Sequence, residues 1–151
     1  MNKLVVSLLF SLAWPVATAL AEDGDAILGT WNTAANRGRV EVFKQDSKYA
    51  AKILWLREAK FPANDDQGMA GKPKVDRNNP KADLRQRSLV GLQIMEGLTY
   101  AGKKLWDHGH IYDPETGKTY KCKMTLVATN KLELRGFLGI SLLGRTTVWT
   151  R

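Results

Sequence analysis

The fold is decided by the stretch from Trp106 to Trp149, which reads WDHGHIYDPETGKTYKCKMTLVATNKLELRGFLGISLLGRTTVW. Within it, Pro114 presets φ for a turn, and Gly117 can adopt a positive φ without steric cost. The residues after this turn alternate in polarity, which places on one face Tyr120, Cys122, Met124, Leu126 and Ala128. After a second turn at 130–131, a further alternating segment contains Leu132, Leu134 and Leu138. A period of two predicts half-buried strands, so the C-terminal third is predicted to be an antiparallel meander.

The same pattern of short strands and tight turns extends towards the N-terminus. It predicts strands near 27–33, 38–45, 48–56, 88–95, 103–112, 118–128, 131–138 and 144–150. In the third of these, alternation places on one face Tyr49, Ala51, Ile53 and Trp55. An even meander favours closure, because closure removes exposed strand edges. We therefore predict an all-β fold, a small antiparallel up-and-down barrel of about eight strands.

One long segment, residues 57–87, interrupts the strand pattern with prolines and many charges. It is predicted to be a loop with a short helical turn near 83–85. Loops longer than about 12–15 residues are uncommon and are often functional. Two interpretations stay open: a mobile insertion without a task, or a lid over one mouth of the barrel.

The N-terminus has the pattern of a secretory signal peptide. A basic start at Lys3 is followed by the apolar run 4–17, and Ala19 and Ala21 complete a small-residue cleavage site. The alternative is an uncleaved membrane anchor, but the run is shorter than the ~20 apolar residues that a spanning helix needs. We predict a signal peptide over 1–21, a single barrel domain over 22–151, no membrane-spanning segment, and location in the periplasm.

Charge and cysteine content narrow the function classes. The chain has 23 basic and 15 acidic side chains, and loss of Lys3 with the signal peptide leaves a net charge of about +7. Such a surface is attracted to anionic partners, including lipid headgroups. Nucleic acid is not expected, because the chain is exported and its basic residues do not interleave with aromatic ones. Cys122 is the only cysteine, so no internal disulfide is expected, and its place on an apolar face predicts a buried thiol.

The sequence shows no catalytic motif, and we predict that the protein is not an enzyme and carries no cofactor. There is no Gly-x-Ser-x-Gly elbow, and Asp113 and Glu115 fit solvated turn acids better than a catalytic pair. His108 and His110 share strand parity and are weak candidates for a metal site. Two histidines fall short of the four protein ligands of structural zinc, so exposed strand histidines are the preferred interpretation.

A set of motifs together resembles a family of secreted bacterial proteins known as domain of unknown function 2147. The motifs are Asp76…Asn79-Pro80, Leu89-Val90-Gly91-Leu92, Trp106…Gly109-x-Ile111-Tyr112-Asp113-Pro114…Gly117-Lys118…Tyr120, Leu134-Arg135-Gly136-Phe137 and Leu143-Gly144-Arg145-Thr146…Trp149. The resemblance implies a lipocalin-like barrel in the periplasm and no settled activity. The start Gly29-x-Trp31 is similar to that of lipocalins, in which a late Arg packs across the Trp. Arg151 or Arg145 is expected to do so here, with Trp31, Trp149 and Arg151 structural.

Two functions from different classes follow. The first is a binding barrel for a small apolar or anionic amphipathic ligand, at the mouth near the long loop. Its candidate ligand-binding residues are Trp55, Asp76, Asn79, Arg85, Trp106, Arg135 and Phe137. For Arg135, an inward-facing ligand contact and a structural ion pair with Asp76 or Asp113 are both open. The second is an envelope-associated interaction or structural protein whose basic surface engages anionic lipids or another protein.

Overall fold

The computed structural model describes residues 24–151, which form a closed antiparallel barrel of eight strands in sequence order. The strands are β1 (Gly29–Asn32), β2 (Gly38–Gln45), β3 (Lys48–Leu56), β4 (Gln93–Gly102), β5 (Leu105–Asp113), β6 (Lys118–Ala128), β7 (Lys131–Phe137) and β8 (Arg145–Thr150). Short 3₁₀ turns lie at Asp25–Ile27, Ala34–Asn36, Ala82–Leu84 and Ser141–Leu143. The predicted all-β barrel is confirmed. The predicted signal peptide lies outside the described residues.

One strand lies elsewhere than predicted. The sequence placed the fourth strand at 88–95 with a turn after it, whereas β4 runs from Gln93 to Gly102. Gly97 has a positive φ inside this strand, and the β3–β4 register shifts between Tyr49 and Ala51, so the glycine accompanies a bulge and not a turn. Residues 88–91 belong to the long connection instead, where Ser88 forms a β-bridge with Val75.

A second bulge changes which residues face the interior of β3. Arg39 pairs with Trp55, but the next residue, Val40, pairs with Ile53, so Leu54 is extra. The alternation that predicted Trp55 on the face of Tyr49 and Ile53 is therefore broken. Trp55 is 45% exposed, and the Arg39 guanidinium lies 5.5 Å from the centroid of its ring.

The strand order gives the barrel two different ends. The closed end carries the tight hairpins at 45–48, 102–105 and 128–131 together with residues 24–28 and Arg151. The mouth carries the connections 33–37, 57–92, 114–117 and 138–144. Long and short connections are thus segregated, and the 36-residue segment 57–92 lies at the mouth.

The closed half of the barrel is filled with side chains. Among the buried residues of this core are Ile27, Trp31, Val42, Tyr49, Leu98, Trp106, Met124, Leu132 and Trp149. The Trp31 indole nitrogen donates to the Ile27 carbonyl oxygen at 2.8 Å, and the Trp106 indole nitrogen donates to the Gly24 carbonyl oxygen at 3.0 Å. Both large rings therefore bury their apolar surface with their one polar atom satisfied.

Arg151 closes this end from outside. Its guanidinium lies 4.2 Å from the Trp31 ring centroid and donates to the carbonyl oxygens of Thr129, Leu28 and Ala26. Of the two arginines considered from the sequence, Arg145 lies at the other end of β8, opposite Gly136. Between residues 24 and 151, no helix has the length and apolar character that a bilayer crossing needs.

A candidate ligand-binding cavity at the barrel mouth

A cavity of about 830 Å³ lies between the mouth of the barrel and the 57–92 segment. Its apolar lining comes from two sources: barrel residues Val40, Ile53 and Ile94, and loop residues Phe61, Val75 and Leu89. Thr147 of β8 completes the wall on the barrel side, and the exposed Trp55, beside Arg39, borders the cavity at its rim. The volume falls within the ~300–1,000 Å³ of small-molecule pockets. The mouth half of the barrel therefore keeps an open apolar space above the packed closed half.

The segment 57–92 covers this cavity, and we call it the roof; it is held by backbone hydrogen bonds. The Phe61 amide donates to the Lys72 carbonyl oxygen at 3.0 Å, and the Lys74 amide donates to that of Ala59 at 2.8 Å. On the other side of the same stretch, the Leu89 amide donates to the Lys74 carbonyl oxygen at 3.2 Å. Residues 59–61, 72–76 and 87–89 thus pair as three short extended pieces. These backbone hydrogen bonds within the roof, together with those that join Gly91 and Leu92 to Ile53 of β3, hold its shape over the mouth.

A buried carboxylate attaches the roof to the barrel, and we refer to its cluster, Asp76, Asn79, Arg87 and Tyr112, as the latch. Asp76 is fully buried and accepts hydrogen bonds from the Tyr112 hydroxyl at 2.6 Å, from Arg87 Nε at 2.8 Å and from the Asn79 amide at 2.8 Å. Arg87 Nη2 also lies 2.8 Å from the same carboxylate. Burial first, and then the hydrogen bond to Asp76, raises the pKa of Tyr112 to about 12.

The roof also contacts the β5–β6 turn. The Asn78 side-chain amide donates to the carbonyl oxygens of Pro114 and Glu115 at 3.1 and 2.9 Å. Arg37, in the β1–β2 connection, forms an ion pair with Glu115. The turn is shaped by Asp113, whose carboxylate accepts from the Glu115 amide at 2.9 Å, as expected of an Asx-turn. The roof is therefore hydrogen-bonded to the barrel at the Asp-Pro-Glu-Thr-Gly turn.

A second carboxylate stiffens the roof from within. Asp65 accepts from Arg77 Nη1 at 2.6 Å and from the Met69 amide at 3.0 Å. The hydrogen bond from Arg77 is the main reason that the pKa of Asp65 is lowered. The Arg77 guanidinium in turn lies 4.2 Å from the Phe61 ring centroid. The Phe61 ring therefore has the Arg77 guanidinium on one side and the cavity on the other.

The rim of the cavity is more basic than acidic. Five basic side chains line it, Arg37, Arg39, Arg57, Lys74 and Arg77, against three acidic ones, Glu58, Asp113 and Glu115. Arg37 and Arg77 are engaged by carboxylates, and Lys74 lies 3.7 Å from Glu58. Arg57 is exposed, and among residues 24–151 its side chain has no carboxylate within ion-pair distance. The rim therefore offers positive charge to a ligand lying in the mouth.

The predicted ligand-binding residues lie in four separate places, the last of which is the outer face of β7, where Arg135 and Phe137 lie. Trp55 lines the mouth cavity. Asp76 and Asn79 form the latch, and Arg85 supports it by donating from Nε to the Asn79 carbonyl oxygen at 2.8 Å. Trp106 lies fully buried in the closed half, away from the mouth. These polar residues hold the roof in place, and Trp106 builds the core beneath the cavity.

Arg135 and Phe137 lie on the outer face of β7, which corrects the inward orientation considered for Arg135. The interior positions of this strand are those of Leu132 and Leu134, both buried. The Arg135 guanidinium donates to the carbonyl oxygens of Ser141 and Leu142 and to the Thr146 hydroxyl, with no contact to Asp76 or Asp113. The Arg135 side chain lies over the neighbouring β7–β8 connection, so its hydrogen-bond acceptors are neutral oxygens and not carboxylates.

The two histidines and the cysteine do not converge. His108 and His110 are exposed, and a register shift between Trp106 and Gly109 lies beside them. In the described part of the chain, no three His, Cys, Asp or Glu side chains are grouped so as to hold a metal ion. Cys122 is buried, and burial raises the pKa of its thiol to about 12. A thiol with so high a pKa is a poor nucleophile at neutral pH.

Several cavity residues were absent from the sequence-based candidates. Phe61 is the only aromatic residue of the segment 57–87, and this could have marked it as the buried anchor of the loop. Val75 carries no comparable signal, because it is one apolar residue among turns, and Leu89 and Ile94 lie in the segment 88–95 that was predicted to be a strand. Val75 and Leu89 reach the cavity through pairing of the roof with itself, and Ile94 reaches it from β4 of the barrel.

Comparison with known proteins places the chain in a family. Residues 29–151 match the model of a family described as "Uncharacterized protein conserved in bacteria (DUF2147)". The chain belongs to the DUF2147 family. The matched region contains all eight strands and the whole mouth cavity, so the cavity is part of the DUF2147 domain of this chain. No curated protein matches the chain.

A solved structure supports the fold of this DUF2147 protein. It is described as "Protein HP1028 from the human pathogen Helicobacter pylori belongs to the lipocalin family". The TM-score is 0.69 at 25% sequence identity, over 83% of this chain and 82% of the other. The barrel is therefore lipocalin-like, as the Gly29-x-Trp31 start and the Arg151–Trp31 stack indicate.

Proposed function

We propose that this DUF2147 protein is an exported, non-enzymatic binding protein that holds one small amphipathic molecule in its mouth cavity. The observation that carries the proposal is the open cavity of about 830 Å³ between the barrel and its ordered roof, with a mainly apolar wall and a charged rim. Barrels of about eight strands either fill with side chains or hold one small ligand, as lipocalins do. In this barrel the closed half is filled and the mouth half is not.

The lining favours a ligand with an apolar body. Val40, Ile53 and Phe61 are almost fully buried yet border the cavity, so they lie at the base of an apolar wall. A hydrocarbon chain placed against this wall would leave water, which contributes about 25 cal/mol per Å² of buried apolar surface. The core below stops such a chain from passing through the barrel.

The rim favours a ligand with an anionic head. Arg57 and Lys74 border the cavity with a side chain that is free or only loosely paired, and the rim as a whole has two more basic than acidic residues. A carboxylate or phosphate at the mouth would gain from this charge at low ionic strength and less at high salt. A fatty-acid-like or lysolipid-like molecule combines both requirements.

Export to the periplasm is part of the proposal and rests on the sequence of residues 1–21. The pattern of Lys3, the apolar run and Ala21 supports cleavage before Glu22. The intact mass of the protein recovered from the periplasm of an expressing cell should correspond to a chain that begins at Glu22. Recovery of the chain with Met1 retained in the membrane fraction would contradict export by cleavage.

The proposed binding is tested with palmitate displacing 1-anilinonaphthalene-8-sulfonate from the purified protein. Thr147 lies on the cavity wall, so Thr147→Phe should fill the space and weaken palmitate binding about tenfold or more. A loss of this size is expected when the new ring displaces a short segment of the hydrocarbon chain, since each buried CH₂ contributes ~0.8 kcal/mol. Thr125→Phe makes the same change on the outer face of β6 and should leave the affinity unchanged.

The anionic head is tested separately by charge reversal. Arg57→Glu should weaken the binding of palmitate more than the binding of hexadecanol, the uncharged alcohol of the same chain length. Lys48→Glu, at the closed end, should affect neither. Equal affinity of wild-type protein and Thr147→Phe for palmitate would refute the cavity as the binding site. If Thr125→Phe also lost palmitate binding, the loss in Thr147→Phe would reflect general damage to the barrel, and this result would also count against the cavity as the binding site.

The basic-surface alternative expected from the sequence uses other residues. Cations on the outer face of β6, such as Lys121 and Lys123, do not border the mouth cavity. Contact with an anionic surface and ligand binding are therefore separable properties of one molecule.

A further inference from the structure

Four large apolar side chains are exposed together in the β7–β8 connection at the barrel mouth. Leu138 is 62% exposed, Ile140 61%, Leu142 81% and Leu143 79%. Scattered apolar residues are common on protein surfaces, but four within six residues form a patch, and such patches mark interaction sites. We call residues 138–143 the apolar tip.

Arg135 holds the apolar tip in place. Its guanidinium donates from Nε to the Ser141 carbonyl oxygen at 2.7 Å, from Nη2 to that of Leu142 at 3.0 Å and from Nη1 to the Thr146 hydroxyl at 2.8 Å. These bonds fix the backbone of the connection against the barrel wall while Leu142 and Leu143 project into solvent. The exposure of the leucines is thus built into the folded chain, because a charged side chain holds their backbone in place.

The surface around the apolar tip is basic. Lys121 pairs across strands with Phe137, Lys123 pairs with Arg135, and Arg145 pairs with Gly136. From 116 to 151 the sequence has four lysines and three arginines against one acid, Glu133, although Lys131 and Arg151 of this set lie at the closed end. Among residues 24–151, none of these side chains forms an ion pair. Lys123 lies directly opposite Arg135, an unfavourable pairing of like charges that an external anion would relieve.

We propose that the apolar tip and its flanking cations form a docking surface for an anionic lipid bilayer. Apolar side chains that enter the acyl boundary, ringed by Lys and Arg that contact the headgroups, are the pattern of interfacial membrane binding. Each Lys or Arg near an anionic bilayer adds to the attraction. The tip lies at the same end of the barrel as the cavity, so docking would bring the mouth to the lipid surface. This inference goes beyond ligand binding and does not depend on it.

Vesicle co-sedimentation of the chain 22–151 tests the docking surface. We expect binding to vesicles of phosphatidylglycerol and phosphatidylethanolamine, little binding to phosphatidylcholine, and weaker binding as salt rises. Leu142→Ser/Leu143→Ser should lower the partition coefficient about tenfold or more, since two buried leucines are lost from the interface. Leu54→Ser/Val127→Ser removes exposed apolar groups elsewhere on the barrel and should have no effect.

The charges are tested with Lys121→Gln/Lys123→Gln, which should weaken partitioning about fivefold or more at low salt. Lys48→Gln/Lys131→Gln, at the closed-end hairpins, is the matched control. Palmitate affinity measured on the same variants should be unchanged, which separates failure of docking from failure of the ligand site. Partitioning that is insensitive to the leucines or the lysines would overturn the proposal. So would a dimer in sedimentation velocity that the leucine variant abolishes, since the tip would then be covered by a second copy.

Discussion

The backbone carbonyl oxygen of Asn78 lies where a β-carbon on Gly117 would have to stand, and Gly117 also has φ +70°. The roof of the cavity therefore reaches the β5–β6 turn so closely that only glycine fits there. This one contact joins two segments that are far apart in sequence, and it explains why the turn motif ends in glycine.

Replacement of Gly117 tests how tightly the roof sits on the turn. Gly71→Ala is the control, because Gly71 has φ +72° but open space around its missing β-carbon. It should cost only the left-handed conformation, about 1–2 kcal/mol. Gly117→Ala should cost at least about 2 kcal/mol more, since the roof must shift and lose hydrogen bonds worth about 1 kcal/mol each. Urea unfolding measures both, and equal losses would show that the roof does not press on the turn.

The buried carboxylate of the latch is the second target. Asp76→Asn keeps the size of the side chain but removes the charge that Arg87 and Tyr112 face, so the protein should lose about 2–4 kcal/mol of unfolding free energy. Glu115→Gln removes an ion pair whose side chains are 67% and 68% exposed, and it should cost less than about 1 kcal/mol. A loss at Asp76 no larger than that at Glu115 would contradict a structural latch.

Alkaline titration reports on the same cluster. Burial, followed by the hydrogen bond to Asp76, raises the pKa of Tyr112 from 10 in the unfolded chain to about 12. The stabilisation from the neutral hydroxyl is therefore complete below pH 10 and is lost as pH rises towards 12. Tyr112→Phe should lower stability at pH 7 by about 1 kcal/mol and flatten its decline between pH 10 and 12. An unchanged slope in that range would assign the decline to other groups.

The strands could be predicted because their signal is local. Alternation from Tyr120 to Leu126 and turn residues such as Pro114 act within a few positions of each other, so most strand boundaries agree within a few residues. Trp55 was placed on the wrong face because a bulge at Leu54 resets the alternation. Glycine at 97 was predicted as a turn, although in the structure it accompanies a bulge, and sequence alone does not distinguish the two.

The cavity could not be predicted in the same way, because its walls are long-range. Asn78 contacts Glu115 and Asp76 contacts Tyr112 across sequence separations of 37 and 36 residues, which no local pattern reveals. The sequence did indicate that Asp76, Asn79 and the segment 57–87 matter. It set Phe61 apart only as the one aromatic residue of this segment, and it gave no reason to prefer Val75 or Leu89 over other apolar residues as cavity walls.

The contact between Arg151 and Trp31 at the closed end can be tested by substitution. Trp31→Ala should cost about 3–5 kcal/mol, as for other large aromatic core residues. Arg151→Lys loses the flat guanidinium over the Trp31 ring and most of its three carbonyl contacts, so a loss of about 1–3 kcal/mol is expected. Arg145→Lys, at the exposed start of β8, should stay within about 0.5 kcal/mol. A melting midpoint that does not change in Trp31→Ala would mean that this ring contributes nothing to the core.

The last test distinguishes a fixed roof from a mobile lid. Residues 63–70 lie beyond the paired pieces of the roof and do not line the cavity. Their deletion joins Pro62 to Gly71, a pair that favours a type II turn. It removes Asp65 and with it the ion pair to Arg77, but it spares Phe61, Val75 and Leu89 and the backbone pairing of 59–61 with 72–76. The deletion should therefore preserve the fold and keep palmitate affinity within about twofold, less than 0.5 kcal/mol. Phe61→Ala opens the roof and should weaken palmitate about tenfold, or 1.4 kcal/mol. Far-UV circular dichroism and palmitate displacement measure fold and affinity. If capture is abolished by the deletion but survives Phe61→Ala, the tip of the loop acts as a moving lid and the fixed roof is wrong.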